Sequence, residues 1–426
     1  MKDDSPHPSL RETLSPGERE KPKRSALQIP AFRTFVITNM LAMMGDNIEH
    51  VISYWVCWEK FHSPALAGFA VVSHWLPYLL FSVAVGALND VFDSRRLIQM
   101  GMALFATVSL GWGYFFLTDT LTEEKAMVLL VLHGCSGVLW LTSQQMILYG
   151  IAGPENLPSA VRLNATFRYL GVFVGPAVGS AVMHFFKPDG GILLNVCFYL
   201  PLSLWLIRAP YGSKFQGATG PKRAVRGWAD IVQTIKDVRT IPVLAAMTLL
   251  AGCASFFVGN SYQAQMPGFA HDLGSAEADF TYSMLLASDA AGALLAGFVL
   301  ERRGGLLATT PQSALKLAFG WGVALACFAA TRTYALAIVC LFTAGFFELS
   351  FSSMVQAIVQ MNAPNEIRGR VLGLYSMAAM GLRTFSGVTV GLVGSRVGIH
   401  SSLFGSAVCF AAAVTLLAWN LRKKAA

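Results

Sequence analysis

Apolar residues run along this chain in blocks of about twenty, divided by short polar stretches, rather than alternating with polar ones. A block of ~20 residues is the length a helix needs to cross the hydrocarbon core of a bilayer. Hydrocarbon offers the backbone no hydrogen-bond partner, so each block must be helical. The pattern predicts spans near 32–59, 64–88, 97–117, 126–149, 160–186, 191–208, 242–268, 277–300, 308–330, 334–361, 369–396 and 399–420. In the ninth, Lys316 interrupts a stretch rich in Thr and Ala.

The longest internal connection, 209–241, divides the spans six and six. Residues 1–30, rich in Pro, Glu, Lys and Arg and without the apolar core of a secretory signal, read as a disordered cytoplasmic tail. The expected domains are this tail, a six-helix bundle over 31–208, a cytoplasmic linker over 209–241, a second bundle over 242–421 and a short tail over 422–426. Within the linker, Trp228–Arg239 fits an amphipathic surface helix.

Composition agrees, at 54% hydrophobic and 13% charged, where soluble chains carry roughly a quarter charged residues. The net charge of +8 points to nucleic acid only in a soluble domain. Here the basic residues gather in short loops that one choice of topology puts on a single side: Arg95, Arg96, Arg162, Arg302, Arg303, Arg368 and Arg370. By the positive-inside bias that side is cytoplasmic, with both termini, in the inner membrane. The seven cysteines lie almost wholly within apolar blocks and none has a metal-ligand spacing, so they read as packing residues.

Two unlike landmarks recur across the divide at the same offset to within one residue. Gly86-Ala-Leu-Asn-Asp90, then Arg95-Arg96, closes the second span, and Gly297-Phe-Val-Leu-Glu301, then Arg302-Arg303, closes the eighth. Pro154-Glu-Asn-Leu precedes the fifth span and Pro364-Asn-Glu-Ile the eleventh. A duplicated six-helix bundle follows, an arrangement that transporters use to build a site between their halves.

At these residues the chain resembles the major facilitator superfamily. Gly86-x-x-x-Asp90-x-x-x-x-Arg95-Arg96 is similar to that family's signature between helices 2 and 3, and Gly171-x-x-x-Gly175-Pro176-x-x-Gly179 to its antiporter signature. With Gly45-Asp46 and the run from Ser63 to Gly68, the pattern resembles the branch of macrolide-efflux and enterobactin-exporting proteins. It departs at Val91, where the family usually has Arg, at Asp93-Ser94 in place of a Gly, and near Arg162, where a Gly is expected. The resemblance implies an all-α membrane protein with 12 transmembrane helices in two pseudo-symmetric bundles, acting as a monomer by alternating access. It also implies that spans 1, 4, 7 and 10 line the cavity.

The candidate residues follow. Asp46, Glu49 and His50 share one face of the first span, where charge is costly unless it meets a partner or water. The cavity-lining spans would gather them with Gln144, Gln145, Asn260, Gln263 and Glu348, while Asp289 is the other acid of the second half. Arg162, Arg168 and Arg383 are possible counter-charges, and Tyr54, Trp55, Trp140 and Phe347 offer aromatic surface for an organic substrate. The loop after span 2 reads as a gating latch of Gly86 and Asp90 with Arg95, Arg96, Arg368 or Arg370. Gly171, Gly175 and Gly179, on one helix face beside the bend at Pro176, read as a seam between the halves.

No His-Glu-x-x-His, P-loop or Gly-x-Ser-x-Gly pattern occurs, so nothing supports a protease, ATPase or hydrolase. Without an ATP site, uphill transport must draw on an ion gradient, for which the membrane acids favour protons over sodium. The reading is a proton-coupled exporter of a small organic molecule, with no cofactor, no metal and no nucleic acid. The alternatives are an uptake permease or lipid flippase on the same fold and, further off, a non-transporting receptor or scaffold.

Overall fold

The computed structural model describes residues 25–212, 225, 227–259, 261–273, 278–302, 307–386 and 393–425. These residues are almost wholly helical. The first half contains α1 (Pro30–Phe61), α2 (Pro64–Val91), α3 (Ser94–Leu117) and α4 (Glu123–Arg208). α4 is three spans in series, because the chain leaves helical geometry at Gly153 (φ 67°) and Lys187 (φ 59°). Each stands directly before a proline, Pro154 and Pro188, whose ring disfavours the α region for the residue it follows.

The helix starts are written locally. Ser63 caps α2 by accepting from Leu66 N–H, with Pro64 in the first turn; Asp93 caps α3 and Thr122 caps α4. The tail expected through Pro30 gives way earlier: Ala26–Gln28 forms a 3₁₀ turn that buries Ala26, whose N–H donates to Ser159 Oγ at 2.9 Å. Residues 1–24 lie outside the described chain.

In the linker, α5 (Trp228–Arg239) is followed by the second half: α6 (Pro242–Phe257), α7 (Ser261–Ala264), α8 (Met266–Asp272), α9 (Ala278–Glu301), α10 (Pro311–Ala330) and α11 (Tyr334–Asn362). The chain continues through α12 (Arg368–Ser376), a π-helical turn (Met377–Gly381), α13 (Arg383–Ser386), α14 (Val393–Val397) and α15 (Ile399–Ala425). Two predicted spans are therefore not single helices. The one expected over 242–268 breaks after Phe257, where Gly259 takes φ +50°. The one expected over 369–396 changes pitch at its π turn, as helices often do at functional sites.

The described residues hold twelve helical passages in two bundles. In the first, α1 and α3 pack on α4; in the second, α9 and α10 pack on α11, and α10 on α15. The halves meet along two lines, α2 against α12 with the π turn, and α4 against α9 and α11. Seven helices, α4 among them, are long and apolar enough to cross a membrane. α1 falls outside that group because its middle carries Asp46 and Glu49.

Candidate functional site: a polar cavity between the halves

Two connected hollows lie where the bundles meet, of about 310 and about 80 Å³. They share Tyr78, Leu141, Arg168, Tyr169, Met380 and Arg383 in their walls. The larger also takes in Asp46, His50, Tyr54, His74, Trp140 and Gln263, and the smaller Gln144, Gln145 and Glu348. The four cavity spans implied by the resemblance thus all contribute, joined by α2 and the π turn.

The first-half wall carries a tight polar cluster. Asp46 and Glu49 stand one turn apart on α1 and bracket His133 from α4: His133 Nδ1 is 2.7 Å from Glu49 Oε1, and Nε2 is 3.0 Å from Asp46 Oδ1. Ser109 of α3 donates its hydroxyl to Glu49, and Asn195 donates to Ser109 Oγ at 3.3 Å. His50 Nδ1 lies 3.8 Å from Asp46, and its ring stacks edge-on against His74 and His133. Glu49 itself is buried behind the cavity wall. His74 and His133 are each a lone histidine within an apolar block, and nothing in the sequence sets them apart before α2 and α4 bring them to His50.

The second-half wall is built on the broken seventh passage. Ending α6 at Phe257 lets Tyr262 and Gln263 turn inward, a break tolerated at membrane depth where it faces protein or a cavity. The Tyr262 hydroxyl sits 3.1 Å from Asp289 Oδ2 and 3.4 Å from Glu348 Oε2, and Gln263 Nε2 donates to Asp289 Oδ2 at 3.1 Å. All three of Tyr262, Asp289 and Glu348 are buried. Asn260 lies outside the described residues. Gln145 Nε2 donates to Ser376 Oγ at 2.8 Å, tying the halves together beside the π turn, and Gln144 Oε1 is buried without a partner. Tyr54 and Trp140 line the larger hollow, but Trp55 is 54% exposed on the outer surface and Phe347 packs on Gly320.

One end of the cavity is sealed by charge. Asp90, closing α2, accepts from Gly369 N–H at 2.6 Å and from the Arg370 guanidinium at 2.8 Å. Arg370 is wholly buried and also donates to Asp230 of α5 at 3.0 Å. Gly86 makes the approach possible, since a Cβ there would strike the Gly369 carbonyl. The latch partner is thus Arg370 alone among the arginines considered. Arg95 is held by Asp93 at 2.7 Å and the Ala209 carbonyl at 2.6 Å, while exposed Arg96 donates to Gln99. Arg368 lies 3.6 Å above the Tyr149 ring, bracing the same end by a cation–π contact. Partial burial pushes the Asp93 carboxyl up, but its bonds from Arg95 outweigh this and hold it below the usual carboxylate range.

The repeat supplies a counterpart. Glu301, closing α9, accepts from Ser159 and lies 3.6 Å from Arg162, whose guanidinium also donates to the Leu300 carbonyl. Arg162 therefore belongs to this end and is no counter-charge in the cavity, unlike Arg168 and Arg383.

The glycine seam lies elsewhere than expected. Gly171 faces Met40 and Met43, Gly175 faces Met44 and Asn47, and Gly179 faces Ile48 and Val51, all on α1 of the same half. Pro176 lies on the exposed side of the helix, which stays helical through it. Small residues at i+4 spacing bring two backbones close, but sequence alone does not say which two. The seam between halves is the neighbouring face, where Ala165 and Thr166 meet Ala293, Ala296 and Gly297.

A family model described as Major Facilitator Superfamily matches residues 35–386. The multidrug efflux pump Tap of Mycobacterium tuberculosis is 24% identical over 239 residues, 53% of this chain and 55% of that protein, so the match spans about half of its length. The enterobactin exporter EntS of Shigella boydii is 21% identical over 353 residues, 82% of this chain and 81% of that one. Among solved structures, the human organic anion transporter MFSD10 superposes with a TM-score of 0.73 at 12% identity, over 91% of this chain and 100% of that one. The fucose:proton symporter FucP of E. coli gives 0.72 at 12%, over 93% and 99%. At such identity these structures speak to the fold alone.

Proposed function

The chain belongs to the major facilitator superfamily, and on that premise we propose that it is a secondary active transporter that exports a small organic molecule against a proton gradient by alternating access. In this reading it works as a single chain in the inner membrane, with both termini and the Asp90 end cytoplasmic. Its substrate is an amphipathic drug-like molecule or siderophore, seated between the aromatic walls of the cavity.

The observation that carries the reading is the pairing of Asp289 and Glu348 on one phenol. Tyr262 has a single hydroxyl proton and so can satisfy only one of two buried carboxylates at a time. Gln263 also donates to Asp289, and a carboxylate that carries a proton of its own can donate to the phenol oxygen instead. Two acids within reach of one hydroxyl, of which Glu348 lines the smaller hollow, form a pair that can share a proton, and Arg168 and Arg383 in that hollow are the charges that compete with it. A group that gains and loses a proton with its surroundings is what coupling requires. Export rather than uptake is supported by the names of the two sequence relatives, a multidrug efflux pump and an enterobactin exporter.

Inverted membrane vesicles energised by a proton gradient test this with ethidium and enterobactin as probes. The parent protein should accumulate at least one of them uphill, and collapse of the gradient should abolish accumulation. Accumulation that persists without a gradient, or none of either probe, contradicts the proposal.

A further inference from the structure

The proposed proton cycle leaves the first-half histidines unused. His50, His74 and His133 come from α1, α2 and α4; His50 meets His133 and His74 edge to face, with ring centroids 4.6 and 4.9 Å apart, and His74 and His133 lie tilted at 5.7 Å. One ring nitrogen of each lies within 4.8 Å of the other two. Three points so spaced sit no more than about 2.8 Å from a common centre, so shifts of under ~1 Å would bring them to the ~2.0–2.1 Å of a metal–imidazole bond. His74 Nδ1 is buried and makes no hydrogen bond, while His133 Nε2 meets only the Asp46 carboxylate, 3.0 Å away. Unsatisfied nitrogens inside a membrane protein are costly, and an apolar side chain would have avoided the cost.

We propose that His50, His74 and His133, with Asp46 as a fourth ligand, form a binding site for a divalent first-row transition-metal ion of the Zn²⁺, Co²⁺ or Ni²⁺ type. Three imidazoles and one carboxylate suit these borderline ions, whereas Ca²⁺ and Mg²⁺ favour all-oxygen shells. Asp46 reaches two of the three rings, 3.0 Å from His133 Nε2 and 3.8 Å from His50 Nδ1. Glu49 takes the outer role: it lies 2.7 Å from His133 Nδ1, and a proton held there leaves the Nε2 lone pair for the ion, while Ser109 fixes Glu49 in turn. A carboxylate behind a ligating imidazole is the usual support for such a ligand. Asp46 and Glu49 together offset the charge of a dication, as a buried ion requires. The ion has a way in, because Asp46, His50 and His74 line the larger hollow. It would bind there whether or not protons drive transport.

The test is Co²⁺ absorption and Zn²⁺ equilibrium dialysis on the purified full chain in detergent, which need no transport. The parent should bind one equivalent, with the intense visible bands of tetrahedral Co²⁺. His74→Ala, on the cavity side of the cluster, should weaken binding at least tenfold with an unchanged melting temperature. Glu49→Gln should weaken it ~10–100-fold, the usual loss for a supporting carboxylate. No binding by the parent, or an equal stoichiometry and affinity in folded His74→Ala, overturns the site.

Discussion

Glu49 illustrates what a carboxylate needs in the middle of a membrane helix. Its oxygens are taken up by Ser109 and His133, and neither partner is near it in sequence. Asp289 solves the same problem with Tyr262 and Gln263. Removing one donor therefore exposes the cost directly. Tyr262→Phe should destabilise the fold by about 1–3 kcal/mol, the penalty for a buried acceptor left unpaired, and should slow gradient-driven transport at least tenfold. A calorimetric scan and vesicle flux measure both, and a variant that transports at the parent rate would show that the two carboxylates work without their shared phenol. The acids themselves were legible in the sequence, because a charge inside an apolar block is conspicuous. Their partners were not, since Tyr262, His74 and His133 are unremarkable residues until four helices fold around them.

Helix pairs set where backbones meet. Gly86 and Gly369 let α2 and α12 touch, and the charges of Asp90, Arg370 and Asp230 close over that contact. Asp90→Asn removes one of the two carboxylates on Arg370 while Asp230 remains, so the closed end should lose about 2–3 kcal/mol, near the low end for truncating one member of a buried charged pair. Turnover should fall with unchanged expression; parent-like turnover would show that the latch does not gate. Gly175→Leu acts within one half instead. Its side chain would enter Asn47 and the Met44 carbonyl on α1, and overpacking of this kind costs about 1–3 kcal/mol. A lowered melting temperature with no shift in gating is expected, and altered gating without loss of stability would return these glycines to the interface between the halves. The sequence repeat announced the Asp90 and Glu301 ends together, yet Asp230 came from the linker, outside any repeat. Helical periodicity likewise marked the small face of the second α4 segment without naming the helix against it.

Across the whole molecule, two similar bundles enclose the two connected hollows and meet at one end through two charged locks, Asp90 with Arg370 and Glu301 with Arg162. Two weak locks suit a switch, because a few kcal/mol moves a two-state population from one side to the other. The twofold plan was readable from block lengths and from the repeat. The breaks at Gly259 and at the π turn were not, since hydropathy sees apolar runs and is blind to pitch. The proposed alternating access requires this end to open and close. Spin labels at Arg96→Cys and Glu366→Cys, both exposed and one on each half, report it directly in a background lacking the seven native cysteines. Pulsed dipolar spectroscopy in liposomes should give two distances, with Asp90→Asn shifting weight to the longer. A single distance, unchanged by the substitution, would contradict the account.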